Sequence, residues 1–138
     1  MKVIVFVKAN KDSEAGKMPP ADQFREMSEF NEKLVNAGVM LAGEGLTPSS
    51  RGKRVRCSGK DRTVVDGPFA ETKELVAGFW IWQVKSLDEA VEWIKKSPFQ
   101  EGEIELRPVF STEDFAGVLP ADVVAKEQEL RGRIQGQG

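Results

Sequence analysis

No histidine and no tyrosine occur in this 138-residue chain, and cysteine occurs once, as Cys57. The missing histidine excludes Ser-His-Asp and Cys-His catalysis, imidazole proton shuttling and every zinc site with a His ligand. A lone cysteine can form neither an internal disulfide nor a thiolate cluster. With no His to activate it, Cys57 is expected to be an inert buried thiol. Any general acid or base must therefore be Asp, Glu or Lys. A carboxylate-only Mg or Mn site would need a spacing motif that the sequence does not contain, so neither metal nor cofactor is expected.

An excess of charge of either sign is missing too. Twenty Lys and Arg stand against 22 Asp and Glu, a net charge of −2. That balance gives no electrostatic case for nucleic acid or an anionic membrane. The basic run Arg51-Gly-Lys-Arg-Val-Arg56 alternates with small and apolar residues and reads as a solvated edge strand rather than a phosphate patch. No apolar run is long enough to span a bilayer. The start, MKVIVFVKANKD, moves from apolar residues into charge without a small-residue cleavage site, so it reads as a first strand. Together with the cysteine usage, this predicts a cytoplasmic protein.

What is present is ordinary for one soluble domain: 40% hydrophobic and 30% charged residues. KVIVFVK (2–8) is a strand apolar on both faces. From Asp22, the residues Phe24, Met27, Phe30 or Asn31, and Leu34 fall near helical spacing and predict a helix over 21–37, with Gly38 as its stop. VMLAGEGL (39–46) follows as a strand, its Gly43 and Gly45 signalling a bulge or a close approach. KRVRC and RTVVD flank Ser58-Gly-Lys-Asp61 and read as a hairpin. GFWIWQVK (78–85) is the strongest strand. Ser86 to Glu89 forms a capping box, and Leu87, Ala90, Val91 and Ile94 give the next helix one apolar face before Ser97-Pro98. EIELRPVF (103–110) is the last core strand, and Pro108 suggests an edge position or a bulge.

The order β-α-β, hairpin, β-α-β predicts an α+β fold of the ferredoxin-like split type, with an antiparallel sheet and an inserted β-hairpin. Residues 1–111 form this domain. Residues 112–138 form a C-terminal extension with a short helix from Pro120 carrying Val123, Val124, Leu130 and Ile134, and a disordered end from Gln135. Two helices cover one sheet face, yet the first strand and GFWIWQV are apolar on both. A second copy of the same sheet is the economical cover, so a homodimer is expected.

GEGL, VVDGPFAETKE, GFWIWQVKSLDEAVEW and EIELRPVF, in that order, resemble the YCII-related family, specifically its DGPF branch, over nearly the whole chain. The resemblance implies a dimeric ferredoxin-like α+β barrel with a cleft at or near the subunit interface. It also implies a frequent genomic link to extracytoplasmic-function sigma factors. A His-Asp pair proposed as catalytic in other YCII-like proteins cannot be carried over whole, because this chain has no His. Only Asp66 could hold a comparable place.

The stretch DGPFAETKE (66–74) admits two readings. In the structural one, Asp66 accepts amide hydrogen bonds as an Asx turn, Pro68 ends strand pairing and Phe69 anchors the corner. In the functional one, Asp66 is a general base or ligand acceptor on a cleft rim. Glu71 and Lys73 are either a solvated turn or ligand contacts. Trp80 and Trp82 are core aromatics or a stacking platform. Glu44, between two glycines, is a second candidate base, and Arg107 its partner or an anion clamp. These residues predict a small-molecule-binding or minor enzymatic protein with a carboxylate-lined cleft. The alternative is a non-catalytic protein-interaction module, linked through the resemblance to sigma-factor regulation.

Overall fold

The computed structural model describes residues 1–136. Strand β1 (Lys2–Lys8) leads through a one-turn helix α1 (Lys11–Glu14) to α2 (Ala21–Asn36) and β2 (Met40–Gly45). A hairpin, β3 (Lys53–Ser58) and β4 (Asp61–Asp66), precedes β5 (Val76–Gln83), α3 (Leu87–Lys95), β6 (Ile104–Pro108) and α4 (Ala121–Gly136). Four strands form one antiparallel sheet in the order β2-β5-β1-β6, and the hairpin is a sheet of its own. This is the α+β, ferredoxin-like arrangement expected from the sequence, with β6 and its Pro108 at an edge.

Register decides what each face carries. Val3, Val5 and Val7 of β1 lie opposite Trp82, Trp80 and Gly78 of β5. This side packs under the helices: Val3, Val5, Phe30, Leu34, Val39, Trp80, Trp82, Val84 and Ala90 form one buried cluster. Phe30 meets Trp80, Trp82 and Trp93 edge-on, with ring centroids 6.0 to 6.5 Å apart, a geometry the aromatic quadrupoles favour. The two indoles differ in one respect. Trp80 Nε1 donates to Asn31 Oδ1 at 3.0 Å, whereas the buried Trp82 Nε1 has no partner among the described residues. Gly43, opposite Trp80, lets that indole lie close; a Cβ there would come within 2.7 Å of Trp80 Cδ1. The close approach signalled by Gly43 is therefore made by the chain's own tryptophan.

Local chemistry accounts for several departures from the sequence reading. The segment after β1 contains α1 because Asn10 and Ser13 cap each other: Ser13 N donates to Asn10 Oδ1 and Asn10 N to Ser13 Oγ. Phe24, expected on the core face of α2, is exposed, and burial begins further along at Phe30 and Leu34. Ser86 Oγ accepts from Glu89 N as expected, but the Glu89 carboxylate reaches the amide of Lys85, one residue before the cap. Cys57, expected buried, is exposed on the hairpin. The tail helix is longer than expected: α4 runs through Gln135 to Gly136, without a buried residue. The disorder expected from Gln135 is thus not found at residues 135 and 136; residues 137–138 lie outside the described residues.

Candidate functional site

The candidate residues fall into three places. The first is the helix-covered core, where Trp80 and Trp82 sit 5% and 0% exposed. Alternation along β5 turns both under α2 and α3, so the stacking role considered for them gives way to packing.

The second place is the corner that joins the hairpin to β5. Asp66 is exposed, and its carboxylate pairs with Lys53 Nζ, its cross-strand neighbour in the hairpin. The Asx turn expected of Asp66 is absent, since its carboxylate accepts from Lys53 and not from the amides ahead. The corner is instead held by Ser49. Ser49 N and Oγ donate to the two oxygens of Glu14 at 3.0 and 2.5 Å. The same hydroxyl accepts from Phe69 N at 3.1 Å. Gly67 N donates to Gly52 O at 3.0 Å, and the Gly67–Pro68 peptide is cis. Phe69 is half-buried, with the Arg54 guanidinium 3.9 Å above its ring centroid. Arg54 also reaches Glu71 at 3.5 Å. Lys73 is exposed and makes no ion pair among the described residues.

The third place is the sheet face turned away from the helices. Two cross-strand rows cross it. One runs Glu44, Phe79, Phe6, Glu105; the other runs Ala42, Ile81, Ile4, Arg107. The four central side chains are only half-buried. At the β6 edge, Glu105 accepts from Lys8 and Arg107, each at 3.3 Å. Lys8 first and Arg107 second hold the Glu105 carboxyl below the usual carboxylate range. At the β2 edge, Glu44 is exposed and makes no ion pair among the described residues. The partnership considered for Glu44 and Arg107 is not formed: they share a face, but their strands are three spacings apart, about 14 Å. Arg107 turns to Glu105, two residues away on its own strand.

Geometry thus joins Asp66, Phe69 and Glu71 at the corner and sets Glu44 with Arg107 across the open face; no hydrogen bond or ion pair links the two groups. Ser49, Glu14, Arg54, Lys53, Lys8 and Glu105 are the participants that sequence reasoning missed. Lys53 was within reach: closing the hairpin at Ser58 and Asp61 places Lys53 opposite Asp66. Ser49 and Glu14 are 35 residues apart, and no local pattern connects them. No cluster of three or more His, Cys, Asp or Glu among the described residues is placed to hold a metal ion. Shallow depressions of about 320 and 190 Å³ lie elsewhere, beside Asp12 and Glu101 and beside Glu29 and Lys96, and neither includes a candidate residue. No helix among the described residues is long and apolar enough to cross a membrane.

A protein of Rhizobium meliloti (strain 1021), itself uncharacterized, is 35% identical over 88 residues, spanning 62% of this chain and 71% of its own. A solved structure of 5-chloro-2-hydroxyhydroquinone dehydrochlorinase from Burkholderia phenoliruptrix AC1100, in complex with 2,5-dihydroxybenzoquinone, aligns over 82% of this chain and 98% of its own. The TM-score is 0.42 and the identity 17%; similarity at that level says nothing of what this chain acts on. Residues 1–113, which contain the whole four-stranded sheet, the hairpin and the corner, match the YCII-related domain, and the chain belongs to the YCII-related family.

Proposed function

We propose that this protein binds a small organic molecule on the open face of its four-stranded sheet, in a cleft closed by a second copy of the chain. One observation carries the reading. Ile4, Phe6, Phe79 and Ile81 make an apolar floor, with Glu44 at one edge and Lys8, Glu105 and Arg107 at the other. An apolar floor with a few charged groups at its rim is the usual make-up of a small-molecule site. A sheet whose outer apolar side chains are only half-buried also favours a second layer. Glu44 is the carboxylate free to act as a base on that face, whereas Asp66 is engaged by Lys53. Proton abstraction by Glu44 from a ligand oriented by Arg107 is the chemistry this arrangement supports.

Light scattering tests the second copy: the particle should have about twice the 15.3 kDa chain mass. A thermal-shift screen of small aromatic and carbonyl compounds should give stabilising hits on the wild type. Those hits should be weakened in Glu44→Gln and unchanged in Asp66→Asn. Hits that ignore Glu44 and Arg107 would move the site off this face. A dimer that no compound stabilises would leave the face to protein–protein contact alone.

A further inference from the structure

The hairpin is left almost wholly exposed by its own chain. Every residue of β3 and β4 is exposed except Val65. The cross-strand pair Val55 and Val64 is 57% and 59% exposed. A two-stranded ribbon is marginal in water unless something packs on it. Yet the root of this one is anchored, by Arg54 on Phe69 and Glu71 and by the amide of Gly67 on Gly52. Six-residue strands carry its tip about 20 Å from that root.

Charge says what would meet it. Residues 51–66 hold six of the chain's 20 basic residues and two of its 22 acidic ones. The arm is therefore +4 and the rest of the chain −6, which together give the chain's −2. Arg51, Arg56 and Lys60 make no ion pair among the described residues. On the remainder, Glu26, Glu29 and Glu32 are exposed along α2 and equally without an ion pair among those residues. A basic arm on an acidic body is self-complementary, and two copies related by a twofold axis satisfy both arms at once.

We infer that the hairpin Lys53–Asp66 is a docking arm that lies on the acidic surface of a second copy of this chain, burying Val55 and Val64. The inference rests on the second copy invoked for the cleft, but assigns it a separate contact.

The test compares wild type with Arg56→Glu/Lys60→Glu, which touches no residue of the hairpin root. Sedimentation should show the dimer dissociation constant raised about tenfold or more in the variant. Its circular dichroism should be unchanged. Raising salt from about 50 to about 500 mM should weaken the wild-type dimer and leave the variant less affected. In the wild type, hydrogen exchange at residues 53–66 should slow with rising protein concentration. A variant that dimerises like the wild type, or hairpin amides indifferent to concentration, overturns the docking arm and leaves the cleft reading standing. A wild type that is monomeric throughout overturns both. If heparin binds the wild type and not the variant while dimerisation is equal, the arm serves a polyanion and the inference fails.

Discussion

The carbonyl oxygen of Ser49 occupies the place where Gly67 would carry a Cβ. The two backbones meet there because Ser49 is fixed from both sides, by the carboxylate of Glu14 and by the amide of Phe69. A methyl group at position 67 has to push backbone against backbone, which cannot turn aside as a flexible side chain can. Gly67→Ala is therefore expected to destabilise the fold by about 3 kcal/mol, at the upper end for overpacking. Urea unfolding measures it; a loss below about 0.5 kcal/mol would show that the corner relaxes freely.

Asp66 is expected to matter little to stability. Its one ionic partner among the described residues is Lys53, and both side chains are largely exposed, so screening by water reduces the pair to about 0.5 kcal/mol or less. Asp66→Ala and Lys53→Ala should each unfold within that margin of wild type, and the double variant should equal either one. A loss of about 2 kcal/mol in Asp66→Ala alone would restore the Asx turn, through a hydrogen bond worth far more than an exposed ion pair.

The elements and their order along the chain were legible in the sequence because strands with apolar residues on both faces, a Gly stop and a Ser cap each leave a local mark. What periodicity could not say was which apolar face the helices take. Both faces of GFWIWQV are aromatic or aliphatic, and only the register with Val3 and Val5 puts Trp80 and Trp82 inside. A consequence is that Trp82→Glu, which would disturb a dimer if Trp82 faced outward, places an unpaired charge in the core and should unfold the chain. The corner was legible as a corner but not in its wiring. Asp66 and the turn residues are adjacent in sequence, whereas Ser49 and Glu14, which hold them, come from distant segments.

The two buried tryptophans should respond differently to loss of the indole nitrogen. Trp80→Phe removes the donor that satisfies Asn31 Oδ1, leaving a part-buried acceptor unpaired at a cost of about 1–3 kcal/mol. Trp82→Phe removes a buried donor that has no partner among the described residues, which offsets part of the lost packing. With similar volume lost at both positions, Trp80→Phe should be the less stable by about 1 kcal/mol or more. Paired denaturant titrations check the order, and the reverse ranking would mean that the Asn31 bond contributes nothing.

Acid should weaken the β6 edge through Glu105. Lys8 and then Arg107 depress its carboxyl pKa in the folded chain. A group depressed on folding contributes stability that is present above its unfolded pKa and is lost as pH falls through the folded one. The sign is therefore destabilising on acidification, in the window just below the ordinary carboxylate range. Glu105→Gln removes this contribution, so its stability should fall less steeply than that of the wild type between about pH 5 and about pH 2. Lys8→Met should flatten the same limb, since it removes the first cause of the shift. Urea denaturation of the wild type and both variants across that pH range measures the limb. Parallel curves for wild type and Glu105→Gln would show that the Lys8 pair carries no stability.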